Sequence, residues 1–203
     1  MTKQSRSVPV MQAVLDAVAE RLMTGDELLI RIPEICEATG VNYGSVYHHF
    51  GSREGVIDAA YDMIFSRFVE EDLAVFQGVI DTVDTLDEYI LAMQPVVTTL
   101  SSGAERRQRR AMRIRIVAAA STRPRLKELI GRTQSRLTAD LRRLIEFAQH
   151  RGWLRDDISA DALAVLFQIL VFGRTLDDIS ADPMDEHVWE SATGVLFVGL
   201  LKL

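Results

Sequence analysis

Cysteine occurs once in the 203 residues, at Cys36. That excludes an intrachain disulfide framework and a structural zinc held by cysteines. Five prolines and twelve glycines are too few for an architecture of many tight hairpins. Long apolar runs are missing as well. The longest uncharged stretch, residues 89–104, contains Pro95, Ser101, Ser102 and Gly103 and is too short and broken to cross a bilayer. Residues 1–10 are polar and carry Lys3 and Arg6 with no apolar segment behind them, so no signal peptide is read there. The expectation is a cytoplasmic protein with no membrane partner.

What the chain does have is an ordinary globular balance, 48% apolar and 26% charged. That is enough to bury a sizeable core in one domain or two. The formal net charge of −6 conceals an asymmetry. Residues 105–143 hold 13 of the 23 Lys and Arg against 3 Asp and Glu; residues 61–104 hold 1 against 8, residues 144–203 hold 4 against 10, and residues 1–60 hold 5 against 8. Any functional reading has to account for that basic segment.

Apolar residues recur at helical spacing almost throughout. Val10, Val14, Val18 and Leu22 form one stripe, reinforced by Met11 and Leu15, and Thr24-Gly25 ends that helix. A short helix follows from about Ile32, with Pro33 in its first turn, and stops at Thr39-Gly40. Asn42 can cap a second short helix to about His49, and Ser52 can cap a third from Arg53 to beyond Phe68. Thr85 and Glu88 have capping-box spacing and open a helix to about Leu100, with Pro95 inside it. Further helices are expected over 105–120, over 124–150, from a Ser159 cap to Leu176, and from Asp182-Pro183 to the C-terminus. No alternating run long enough for a strand is present. The fold class is all-α.

Function concentrates in residues 32–56, IPEICEATGVNYGSVYHHFGSREGV. Ile35, Ala38, Val41, Val46 and Phe50 are spaced so that two short helices can cross over one small core. Gly40 stands where the chain must reverse, a position that favours positive φ. This is the helix-turn-helix pattern, whose second helix enters the DNA major groove. Its outer face would offer Asn42, Tyr43, Ser45, Tyr47 and His48, with Gly44 leaving that face thin enough for close approach.

In these residues the chain resembles the TetR family of transcriptional regulators. The shared elements are Ile35, Ala38-x-Gly40-Val41, Gly44-Ser45-Val46-Tyr47-x-His49-Phe50, and Arg53 opening the next helix. The resemblance implies an N-terminal three-helix DNA-binding domain over 1–52 and a helical ligand-binding and dimerisation domain over 53–203. It also implies a dimer, usually a repressor, released from a palindromic operator by a small-molecule effector. Carried over, Tyr47 and His48 look like phosphate or groove-edge contacts, and Tyr43, Gly44 and Ser45 like base-reading positions. Ser52 and Arg53 look like phosphate contacts at a helix N-terminus. Two departures stand out. Arg31 occupies the place of a common capping Thr, from which it can reach a phosphate, and Tyr43 replaces a common Lys or Arg. Lys3, Arg6, Arg31 and Arg53 could then share one face.

Other features have plainer readings. His48 and His49 are adjacent, point to different faces and have no carboxylate at i+4, so no metal is expected and His49 should pack in the small domain. Cys36 reads as a small buried side chain. The basic segment reads as a face salt-bridged to the acidic segments on either side, or as a helix that turns Arg113 inward to bind a carboxylate or acyl-thioester, or, least simply, as a nucleic-acid contact. Candidate ligand residues are Phe65, Phe68, Tyr89, Met93, Met112, Arg113, Phe147 and Phe167, with Phe76 and Trp153 beside them. The helices over Ser159–Leu176 and Pro183–Leu203 are too broadly apolar for a monomer surface and suit a homodimer bundle. No nucleophile–base pair or phosphate loop is present, so neither an enzyme nor a cofactor is expected. A helical protein–protein adaptor without DNA binding is the alternative.

Overall fold

The structure is a computed structural model describing residues 4–100 and 102–202, with side chains from Val10 onward. Lys3 and the side chain of Arg6, which were expected near DNA, lie outside the described residues, as does Leu203. Among the described residues the regular structure is helical: α1 Gln4–Thr24, α2 Ile32–Thr39, α3 Tyr43–Phe50, α4 Arg53–Ile80, α5 Leu86–Thr99, α6 Ala104–Thr122, α7 Pro124–His150, α8 Ala160–Gly173, α9 Thr175–Asp178 and α10 Glu186–Val198. A 3-10 turn, Glu27–Leu29, precedes α2, and one antiparallel bridge joins Leu154 and Leu201.

Packing divides the chain into two compact units. One comprises Met1–Arg67 with Ile116–Gly131, and the other Phe68–Arg115 with Arg132–Leu203. The division at 52/53 expected from the DNA-reading motif differs from this packing division, because the first turns of α4 bury Val56, Ile57, Ala60, Tyr61 and Ile64 within the N-terminal unit.

In the N-terminal unit the α1 stripe buries Val14, Val18 and Leu22, while Val10 stays 41% exposed and Met11 takes its place. Helix α1 packs on α2, and α2 on α3. The turn between α2 and α3 passes through Gly40 at φ 68°, whose N–H bonds the Cys36 carbonyl. A side chain there would meet the left-handed penalty that glycine avoids. Ile35, Val41, Val46 and Phe50 are buried as the spacing requires, but Ala38 is exposed. The small core therefore closes without it. His49 is also exposed rather than packed; its ring meets Phe50 edge-on at 4.6 Å.

The C-terminal unit pairs α5 with α10 and buries Met93, Leu137, Leu141, Leu163, Ala164 and Phe197. Helix α5 begins with the expected capping box. Two expected helix limits shift. Ser159 precedes α8 without a side-chain cap bond, and α8 ends at Gly173 before the separate turn α9. The last helix starts not at Asp182-Pro183 but behind Asp185, whose Oδ1 accepts the N–H groups of His187 and Val188. Two acceptable bonds to the first turn favour Asp185 as the cap.

Candidate nucleic-acid interface and apolar cavity

One side of α3 is core and the other is bare. Asn42 is in extended backbone, and its Oδ1 accepts the Ser45 N–H at 3.3 Å, which sets where the helix begins. With Val46 and Phe50 buried, Asn42, Tyr43, Gly44, Ser45 and His48 are exposed and Tyr47 is half-buried. The Tyr43 and Tyr47 rings lie 4.5 Å apart. Hydrogen bonding to Tyr43, then burial, pushes the Tyr47 phenol above its ordinary value, so it stays a neutral hydrogen-bonding group. Polar groups of this kind on a short helix can bond base edges and phosphate oxygens.

The residues behind α3 have other partners. Ser52 Oγ accepts the Gly55 N–H at 3.0 Å and so caps α4. The half-buried Arg53 donates from Nε to the Ile30 carbonyl at 3.1 Å and from Nη2 to the Glu27 carbonyl at 2.5 Å, tying the 3-10 turn to the start of α4. Arg31 is exposed, does not cap α2 with its side chain, and donates to the Leu28 carbonyl at 3.3 Å. Sequence reasoning missed a second brace of the same turn. Arg123 pairs with Glu27 and, at 3.2 Å, with Asp58. Burial pushes the Asp58 carboxyl up, and Arg123 only partly counters it. No local motif announces this brace, since its members are far apart in the chain.

Buried Cys36 belongs to the same unit as a core thiol; burial pushes its titration up and keeps it protonated.

Several arginines of the basic segment are paired with carboxylates from outside it. Arg106, Arg109 and Arg113 converge on Asp72 at 2.7, 3.1 and 2.7 Å, and Arg110 grips Asp178 with two bonds of 2.7 Å. Partners come from both acidic flanks, as expected, but the contacts are partly inside the unit, with the Arg110 side chain only 5% exposed. Burial pushes the Asp178 carboxyl up, and the Arg110 bonds more than offset it, leaving it below the ordinary value. Arg113 also lies over the Phe68 ring at 5.8 Å.

A cavity of about 380 Å³ opens within the C-terminal unit. Phe76, Tyr89, Met93, Leu141, Phe167 and Phe197 are among its lining residues, and none of the lining residues is charged. Of the expected ligand residues, Tyr89, Met93 and Phe167 line it, while Phe65, Phe68, Met112, Arg113 and Phe147 do not. Phe147 instead packs edge-on against Trp153 at 5.8 Å. The segment from α8 to α10 exposes Leu166, Ile169, Leu176, Ile179, Val195 and Leu196, each more than half accessible, and of these Leu166 and Leu196 also line the cavity.

Comparison with known proteins agrees with this geometry. Residues 30–60 match the family model for bacterial regulatory proteins of the tetR family. The chain is 24% identical over 181 residues to the HTH-type transcriptional regulator UidR of Escherichia coli K12, covering 89% of this chain and 87% of that one. It shares its fold with Salmonella enterica GusR at a TM-score of 0.67, with 22% identity and 96% of each chain covered. A Saccharomonospora viridis transcriptional regulator solved in complex with choline aligns at a TM-score of 0.70, with 15% identity over 97% of this chain and all of that one. Among the described residues no helix is long and apolar enough to cross a membrane. The match over residues 30–60 identifies a helix-turn-helix of the tetR-family type, carried on a helical chain that is similar in sequence and in fold to transcriptional regulators.

Proposed function

We propose that the protein is a homodimeric repressor released from a near-palindromic operator by a small molecule, and that it acts in the cytoplasm without enzymatic activity. The observation that carries this reading is the outer face of α3: hydrogen-bonding side chains exposed on a capped helix whose opposite side is core. Tyr43, Gly44 and Ser45 read bases, with Tyr47, His48 and Arg31 at phosphates or the groove edge. Ser52 and Arg53 contribute chiefly by holding the start of α4, as their present partners indicate.

Two copies of α3 would enter successive major grooves roughly 34–36 Å apart. The exposed apolar residues of α8 and α10 support pairing through the helices expected to dimerise. The uncharged cavity and the choline-bound neighbour support a small-molecule effector. Such an effector can shift the population away from DNA only by its differential affinity for the two conformations. Helices α4, α6 and α7 each contribute residues to both units and so give a covalent route for that shift.

Selection of bound sequences from random double-stranded DNA tests the reading, with Tyr47→Ala as control. An enriched inverted repeat, lost in the control, is the expected result. Failure to enrich any repeat from folded, dimeric protein would overturn it. A protein that sediments as a monomer would instead favour the adaptor, with the same apolar helices meeting a different protein.

A further inference from the structure

We infer that the cavity of the C-terminal unit takes an uncharged, hydrocarbon-rich molecule carrying one oxygen, held by a single hydrogen bond to the Tyr89 hydroxyl. The inference rests on the effector reading above and names the effector's chemistry.

Three observations carry it. The cavity holds about 380 Å³ and none of its lining residues is charged. An apolar cavity of about 150 Å³ accommodates benzene, so this one suits a molecule of roughly ten to fifteen non-hydrogen atoms. A charged ligand would lose its hydration there and find no counter-charge. The arginines that could have supplied one are paired elsewhere, Arg113 with Asp72 and Arg110 with Asp178.

The second observation is the state of the two hydroxyls in the lining. Thr193 already donates within α10, to the Trp189 and Glu190 carbonyls at 3.1 and 3.0 Å. Tyr89 is 4% exposed and lines the cavity, and among the described residues its hydroxyl is not engaged in a hydrogen bond as that of Thr193 is. Burial pushes its phenol far above the ordinary value, keeping it a neutral group able to donate or accept. In a lining that is otherwise apolar, a hydroxyl free to donate or accept can anchor a single ligand oxygen.

The third is rigidity. The Tyr89 ring stacks on Trp153 at 5.0 Å with an interplanar angle of 25°, and Trp153 is itself buried. That contact fixes where the hydroxyl stands and also supplies a reporter. The other tryptophan, Trp189, lies under Arg174 at 4.9 Å and can be silenced by substitution.

Decan-1-ol, decanoate and decylammonium at pH 7.5 form a matched set of neutral, anionic and cationic probes. Each is titrated into full-length Trp189→Phe protein while Trp153 emission and the melting temperature are followed. Decanol should saturate one site, change Trp153 emission and raise the melting temperature. Decanoate and decylammonium should bind about a hundredfold or more weaker. Tyr89→Phe keeps the ring and its stacking, and should weaken decanol by roughly three- to tenfold. Absence of decanol binding, equal binding of either ion, or undiminished binding to Tyr89→Phe would each overturn the inference. The selected operator separates the two readings. Decanol that binds as described yet leaves operator affinity unchanged upholds the cavity chemistry and overturns release by this site. Intact operator binding with no decanol binding overturns the cavity chemistry alone.

Discussion

Gly55 governs how closely α3 can be followed by α4. A Cβ on Gly55 would lie 2.1 Å from the Phe50 carbonyl oxygen, a backbone atom that cannot swing aside. We expect Gly55→Ala to destabilise the protein by about 2 kcal/mol or more, lowering the melting temperature by roughly 4–8 °C. Thermal melting checks it; an unchanged melting temperature would mean that α3 and α4 separate more easily than their contact indicates. Glycine in the first turn of a helix carries no sequence signal of this kind, because the obstacle is the carbonyl of the preceding helix. Gly40 was legible for the opposite reason: a reversal between two short apolar segments asks for positive φ locally, and φ is 68°. Arg53 lies between these cases. Its position at a helix start suggested phosphate, whereas the carbonyls of Glu27 and Ile30 that occupy it come from a turn the apolar pattern did not announce.

At the scale of elements, helix ends were readable where the cap is chemically specific. Thr85 Oγ1 accepts the Glu88 N–H at 3.3 Å, and Glu88 Oε2 accepts the N–H groups of Asp84 and Thr85 at 2.9 and 3.1 Å. These backbone bonds, with the Thr85 hydroxyl, hold the Glu88 carboxyl below its ordinary value. The fold therefore favours the ionised form. Its stabilisation is present at neutral pH and is lost as pH falls through the lowered value. Glu88→Gln should melt below wild type at pH 7, and the gap should close on acidification below the usual glutamate value of about 4.3. Melting curves across pH check this; a gap unchanged by acid would contradict it. The turn α9 makes a harsher case. Asp178→Ala leaves Arg110 buried without its carboxylate and should cost about 3–5 kcal/mol, read by chemical denaturation. Sequence placed Arg110 in a basic helix but could not choose its partner, since charge pairing depends on which elements pack together.

For the whole molecule, the exposed apolar residues are the decisive feature. Ile169 and Val195 are 58% and 71% exposed and do not line the cavity. If the helices carrying them pair two copies, Ile169→Glu with Val195→Glu should leave each monomer folded but shift sedimentation from dimer to monomer. Operator affinity should then collapse, because one α3 reads only a half-site. Retained dimers would place the interface elsewhere. Salt dependence belongs to the same scale. With the N-terminal residues net acidic, few phosphates should be contacted, and each contributes about −0.9 to the slope of log affinity against log salt. A shallow slope is expected, measured by operator titration at several salt concentrations.

Apolar spacing, two glycine breaks and the capping residues determined by themselves that the chain is helical and that α2 and α3 form a helix-turn-helix pair. These are properties of neighbours in sequence, and helix periodicity and capping act over only a few residues. Only tertiary structure decided what the arginines do, which aromatics enclose space, and which apolar side chains remain uncovered. Asp72 gathers Arg106, Arg109 and Arg113 from another helix, and Tyr89 meets Trp153 from a distant segment. Neither encounter has a local signature. A charge, a ring or a methyl group has no predetermined partner until packing brings one within a few ångströms, and packing is settled by the whole chain at once.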